Sequence, residues 1–135
     1  MPTTLIARFT AQEVSHAVIG AAMRVHTELG PGLLGTYTAC LQYELQAAGC
    51  RSSAQVGLPV IYRGAKLELG YRIDLLVETL VIVEIKSVDA ISPVHQAQIL
   101  SYLKLSGKSL GLLINFNVVH LKDDIKRFVN GTAWK

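Results

Sequence analysis

Two acids and a lysine are set inside neighbouring apolar segments, in the run I73-D74-L75-L76-V77-E78-T79-L80-V81-I82-V83-E84-I85-K86. Segments this rich in Val, Ile and Leu read as strands that favour burial. A charge on a half-buried strand needs a partner, so the two strands are expected to pair with Asp74, Glu84 and Lys86 in mutual reach. Carboxylates directly opposite on paired strands stand about 5 Å apart. At an effective dielectric of about 20 their repulsion is roughly 3 kcal/mol. A cation relieves it, either Lys86 or a divalent metal.

Glu84 and Lys86 are two apart on a strand and project to one face. Whether Asp74 meets them depends on the turn. A three-residue loop, Glu78-Thr79-Leu80, pairs Val77 with Val81 and sets Asp74 opposite Glu84; a two-residue turn sets Asp74 opposite Val83. The loop has no Gly or Asn to choose between them, and both registers stay open. In the first register, two carboxylates and the backbone carbonyl of Ile85 offer hard oxygen ligands suited to Mg²⁺ or Mn²⁺. Such a metal binds a substrate phosphate and acidifies a water. The competing reading is an ordinary cross-strand ion pair.

The surrounding pattern places this pair in a mixed α/β sheet. T10-A-Q-E13 is a capping box opening a first helix, with Val14, Val18, Ala21, Val25 and Leu29 at helical spacing and Gly30-Pro31-Gly32 as its stop. A second helix is expected over about Thr36 to Ala48, carrying Cys40, Leu41 and Leu45 and ending at Gly49. One strand is expected over Gln55 to Tyr62, turning at Arg63-Gly64. The next should run from Lys66 to Leu75, with Leu67, Leu69, Tyr71, Ile73 and Leu75 on one face. Leu80 to Lys86 reads as a strand covered on both faces. Ser92-Pro93 starts a helix that puts His95, Gln98 and Tyr102 near one face and ends at Gly107. Ser109 to Phe116 is an apolar, interior strand, and the last twenty residues are open between a short helix and irregular chain.

Composition sets outer bounds. Half of the 135 residues are hydrophobic and 17% are charged, which disfavours disorder and fits one domain over residues 1–135. The apolar runs fall short of the roughly 18 residues of a membrane span, and the opening residues lack the pattern of a secretory signal. Cys40 and Cys50 give neither a disulfide framework nor C-x-x-C spacing, so a reducing cytoplasm is the expected location. A net charge of +3 permits a polyanionic partner without demanding one. His16 and His26 read as packing or surface residues.

D74, nine residues, E84-I85-K86 and then Q98-I-L-S-Y102 resemble the PD-(D/E)XK nuclease superfamily. More closely, E-L-G-P-G-L-L, A-C-L-Q-Y-E-L, Y-R-I-D-L-L-V-E, V-I-V-E-I-K-S, H-Q-A-Q-I-L-S-Y-L-K and G-L-L-I-N-F resemble the small GxxExxY proteins. The resemblance implies a restriction-endonuclease-like αβββαβ core with an added N-terminal helix. It also implies a metal held by Asp74 and Glu84, Lys86 as the catalytic lysine, and Gln98 and Tyr102 flanking the site. The implied activity is hydrolysis of DNA, with RNA as the second substrate; the alternative is a weakened relative that binds nucleic acid or a protein without cutting. A homodimer or protein partner would supply target recognition. One departure stands out: Gly35 occupies the place of the motif glutamate, and Tyr37 comes one residue early. Glu44, two helical turns further on, is too far along to replace that acid directly.

Overall fold

The computed structural model describes residues 9–135. Thr10 opens helix α1 (Ala11–Leu29) with the expected reciprocal cap: its hydroxyl accepts the Glu13 N–H at 3.1 Å, and the Glu13 carboxylate accepts the Thr10 N–H at 2.9 Å. Val14, Val18, Ala21 and Val25 are buried. Gly30, at φ 67°, ends the helix in a left-handed conformation. Helix α2 (Leu34–Ala47) starts two residues earlier than expected and has no side-chain cap at Leu33. It buries Tyr37, Leu41 and Leu45. The Tyr37 ring stacks on Phe116, with centroids 4.1 Å apart. Its hydroxyl donates to the Gly30 carbonyl and accepts from the Leu33 N–H. One side chain thus ties the helix connector to the sheet.

The strands are β1 (Ser52–Gly57), β2 (Val60–Tyr62), β3 (Ala65–Leu67), β4 (Arg72–Val77), β5 (Val81–Lys86), β6 (Leu110–Asn115) and β7 (Ile125–Val129), with helix α3 (Pro93–Ser106) between β5 and β6. The main sheet has the order β1-β4-β5-β6-β7; β5 and β6 are parallel, and the other pairs antiparallel. This is the expected mixed α/β architecture, consistent with a restriction-endonuclease-like fold.

Two long strands expected from the alternation are each divided. Pro59 has no N–H for a ladder, and β1 already pairs with β4 as far as Gly57 opposite Arg72. The intervening chain leaves the sheet and closes on itself as the hairpin β2–β3. Its turn falls at Arg63-Gly64, as expected, with both residues at positive φ. The chain bends again around Gly70, at φ 82°. Leu67, Leu69 and Tyr71 are consequently exposed, while Ile73 and Leu75 are buried. The tail also differs from expectation: a 3₁₀ turn (Leu121–Asp124) leads into β7, which pairs with β6.

The sheet is covered on both faces. Helices α1 and α2 pack against Leu75, Val77, Val81, Val83, Ile85, Leu110, Leu112 and Ile114. On the other face, Ile99, Tyr102 and Leu103 of α3 cover Ile82 and Leu113. Helix α3 lies close because β6 presents Gly111 there. A Cβ at Gly111 would stand 3.0 Å from Ile99 Cδ1 and 3.2 Å from its Cγ1. Gly111→Val is therefore expected to destabilise the protein by about 1–3 kcal/mol in a urea melt. In Gly111→Ala, a small shift of Ile99 is offset by the lower backbone entropy, and the net change should stay within about 1 kcal/mol. Equal stability of the valine variant and wild type would refute the tight approach. Among the described residues no helix is long and apolar enough to cross a membrane.

Candidate active site

The turn between β4 and β5 adopts the three-residue form. Val77 pairs with Val81, Leu76 with Ile82 and Leu75 with Val83. Glu78 and Thr79 take φ values of 52° and 55°, left-handed for residues that do not favour it. Arg51 holds Glu78 there. Its carbonyl accepts the Glu78 N–H at 2.8 Å, and its own N–H donates to the Glu78 carboxylate.

One step beyond Leu75, the same register carries Asp74 opposite Glu84. Here side chains take up the backbone groups. The Asp74 N–H donates to Glu84 Oε2 at 2.8 Å, and the Ile85 N–H donates to Asp74 Oδ2 at 2.8 Å. Each carboxylate is thus fixed by the opposite strand. On the other side of Asp74, the facing residue of β1 is Gln55, in a left-handed conformation at φ 54°.

Glu84 is only 2% exposed. Burial, and then the neighbouring Asp74 charge, push its carboxyl pKa up to about 7; the Asp74 N–H and Lys86 oppose this more weakly. Lys86 does not neutralise the pair directly. Among the described residues the ion pairs are Arg24–Glu44, Arg51–Glu78 and Lys66–Glu68. The Lys86 ammonium instead donates to Gln98 Oε1 at 3.2 Å, and Gln98 Nε2 donates to the Tyr102 hydroxyl at 3.2 Å. Burial raises the Tyr102 pKa above the ordinary phenol value, so the hydroxyl keeps its proton. The five expected site residues therefore form two adjoining groups: two clasped acids, and a lysine steered by an amide and a phenol.

Neither acid is in an ion pair among the described residues. No three His, Cys, Asp or Glu side chains gather as a metal cage among the described residues. A metal ion held by these two acids would need a further donor from the backbone. The Lys86 carbonyl accepts from Phe116 on the β6 side. Carbonyl direction alternates along a strand, which turns the Ile85 carbonyl towards β4 and the acids. Two carboxylates and one carbonyl suit a hard, water-retaining cation such as Mg²⁺.

The other polar residues are engaged elsewhere or exposed. His95 accepts the Ser92 N–H on Nδ1 at 3.0 Å, completing the cap of α3. His26 Nε2 contacts the Val118 carbonyl, His16 is exposed, and Glu44 pairs with Arg24 at 2.7 Å. Gly35 is exposed, and an added Cβ would meet nothing within 4 Å. Tyr37 stacks on Phe116, whose N–H donates to the Lys86 carbonyl, so α2 is tied to the carboxyl end of β5 from the sheet face opposite α3.

Two contributors escaped the sequence reading. Tyr71, expected on one strand face with Ile73 and Leu75, is exposed and sets its ring 6.2 Å from that of Tyr102. Asn115 is fully buried beside Lys86 in the register. It binds both the N–H and the carbonyl of Val88, and Asp124 Oδ2 at 2.7 Å, which fixes the chain just past Lys86. Its signal was a lone amide in the apolar run S-L-G-L-L-I-N-F.

Against known proteins, residues 12–128 match the family model of the PD-(D/E)XK nuclease superfamily. No curated protein and no solved structure matches the chain.

Proposed function

The chain belongs to the PD-(D/E)XK nuclease superfamily, and on that premise we propose that it is a divalent-metal-dependent nuclease of the GxxExxY branch, acting on DNA or RNA. The observation that carries this reading is the Asp74–Glu84 clasp, with one carboxyl raised to about 7 and no direct ion pair to Lys86. Asp74, Glu84 and the Ile85 carbonyl would hold Mg²⁺ or Mn²⁺. The metal supplies an acidified water and positive charge for the phosphate. Lys86 contributes a second positive charge, oriented by Gln98, against the charge that develops on the phosphoryl oxygens. Tyr102 keeps Gln98 in place and offers a neutral hydroxyl beside the substrate.

The test is cleavage of single-stranded, double-stranded and branched DNA and RNA in Mg²⁺ and in Mn²⁺. Wild type should cut at least one of them, and Asp74→Ala should lower the rate by at least about a thousandfold. Equal cleavage by both proteins would sink the assignment of Asp74. Gly35 favours a second reading, a nuclease-fold protein that binds nucleic acid or a protein partner without cutting. Nucleic-acid binding by wild type, with no cleavage of any substrate in either metal, would establish that reading.

A further inference from the structure

The hairpin β2–β3 stands outside the main sheet, with five exposed large hydrophobic residues on or beside it: Ile61, Tyr62, Leu67, Leu69 and Tyr71. A two-stranded ribbon of three residues a side gains little stability from its own contacts. By register Tyr62 and Leu67 share one face of the ribbon and Ile61 lies on the other; apolar side chains left exposed in such number on so small a ribbon point to a binding role. We propose that this hairpin is the arm that grips a single-stranded stretch of nucleic acid and delivers it to the acids at Asp74 and Glu84. The proposal deepens the nuclease reading and rests on it for the identity of the substrate class.

Three features select this occupant. The first is charge. Arg63, Lys66 and Arg72 are exposed here against a single acid, Glu68, which is paired with Lys66 at 3.5 Å. A second copy of the chain docking face to face would bring two basic arms together, whereas a phosphate backbone complements Arg63 and Lys66. The second is the aromatic content. Tyr62 is 58% exposed, with the Arg63 guanidinium 5.6 Å from its ring centroid, and Tyr71 is 46% exposed. Exposed rings with adjoining cations are stacking platforms for unpaired bases, whose faces a duplex keeps covered. The third is continuity. Tyr71 stands against Tyr102, which is joined through Gln98 to Lys86. A strand stacked at the base of the arm is thus led to the lysine beside the acids.

Fluorescence anisotropy with a labelled single-stranded DNA and RNA of about 16 nucleotides, and with a duplex, tests the proposal. Titrations in EDTA keep binding separate from metal and cleavage. Tyr62→Ala and Tyr71→Ala should each weaken single-strand binding by between about fivefold and a hundredfold. Tyr62→Phe and Tyr71→Phe should stay close to wild type, because stacking needs the ring and not the hydroxyl. Tyr62 lies at the tip of the arm, so its variant reports on the arm without touching Tyr102. Single-strand affinity unchanged in both alanine variants would overturn the inference, whether or not wild type cuts in Mg²⁺. So would a wild-type dimer that Tyr62→Ala dissociates while single-strand affinity is unaltered. Tyrosine-dependent single-strand binding with no cleavage in Mg²⁺ would uphold the arm and reject the nuclease reading.

Discussion

Glu84→Gln is expected to abolish metal-dependent cleavage and, at pH 8 in EDTA, to raise the melting temperature by about 10 °C. Both effects come from one carboxyl group. Its pKa rises from 4.5 to about 7 in the folded protein, so the fold holds this proton more tightly than the unfolded chain does. The favourable contribution is fully present below about pH 4.5 and is lost as pH rises through about 7. The difference is on the order of 3 kcal/mol for a group this deeply buried. For a domain of this size that corresponds to roughly 10 °C. Glutamine retains an oxygen to accept the Asp74 N–H and removes the charge. The stabilisation should disappear near pH 4, where Glu84 is itself protonated. Millimolar Mg²⁺ should raise the melting temperature of wild type at pH 8 and leave the variant unmoved. A variant less stable than wild type at pH 8 in EDTA would show that the buried charge is compensated within the protein.

Gly35→Glu carries the second large expected effect, a gain. Helix α2 begins with no side-chain cap and no acid in its first turn. Replacing glycine in the first turn contributes up to about 1 kcal/mol, the helix-interior value, and a carboxylate there adds about 0.3–1 kcal/mol through the helix dipole. The open space around Gly35 admits the side chain. In the GxxExxY pattern an acid opens this helix, and Gly35→Glu restores it, so the new acid is expected to add charge to the metal site proposed at Asp74 and Glu84. The variant should melt several degrees higher and bind Mg²⁺ at least about tenfold more tightly by calorimetry, with faster cleavage at limiting metal. Unchanged metal affinity in a stabler protein would show that the helix start does not reach the site.

Much of this arrangement is legible in the sequence where local chemistry decides it. Thr10 with Glu13, and Ser92 with Pro93, mark helix starts through hydrogen bonds made within one turn. The register between β4 and β5 is different. Glu78 and Thr79 adopt left-handed conformations because Arg51, far away in sequence, holds Glu78 from both backbone and side chain. Turn propensities carry no trace of that contact. The alternation from Lys66 to Leu75 is real, but alternation reports which residues share a face, not whether that face meets a core. Gly70 and the close pairing of Gly57 with Arg72 decide the latter. Strand β7 was hidden because I-K-R-F-V mixes charge into an edge strand, covered less than its neighbour β6. Gln98 and Tyr102 were placed by helical spacing, and the chain from Lys86 follows directly from it.

The pairing of Gly57 with Arg72 makes the excursion between them a detachable module. The β1–β4 alignment closes at this pair, and the opposition of Asp74 to Glu84 is set separately by the β4–β5 register. Lengthening such a loop adds only a slowly growing closure entropy, about 0.6 kcal/mol for each doubling. Evolution, or an engineer, can therefore lengthen, graft or recode the arm to retarget the molecule while the acids stay in place.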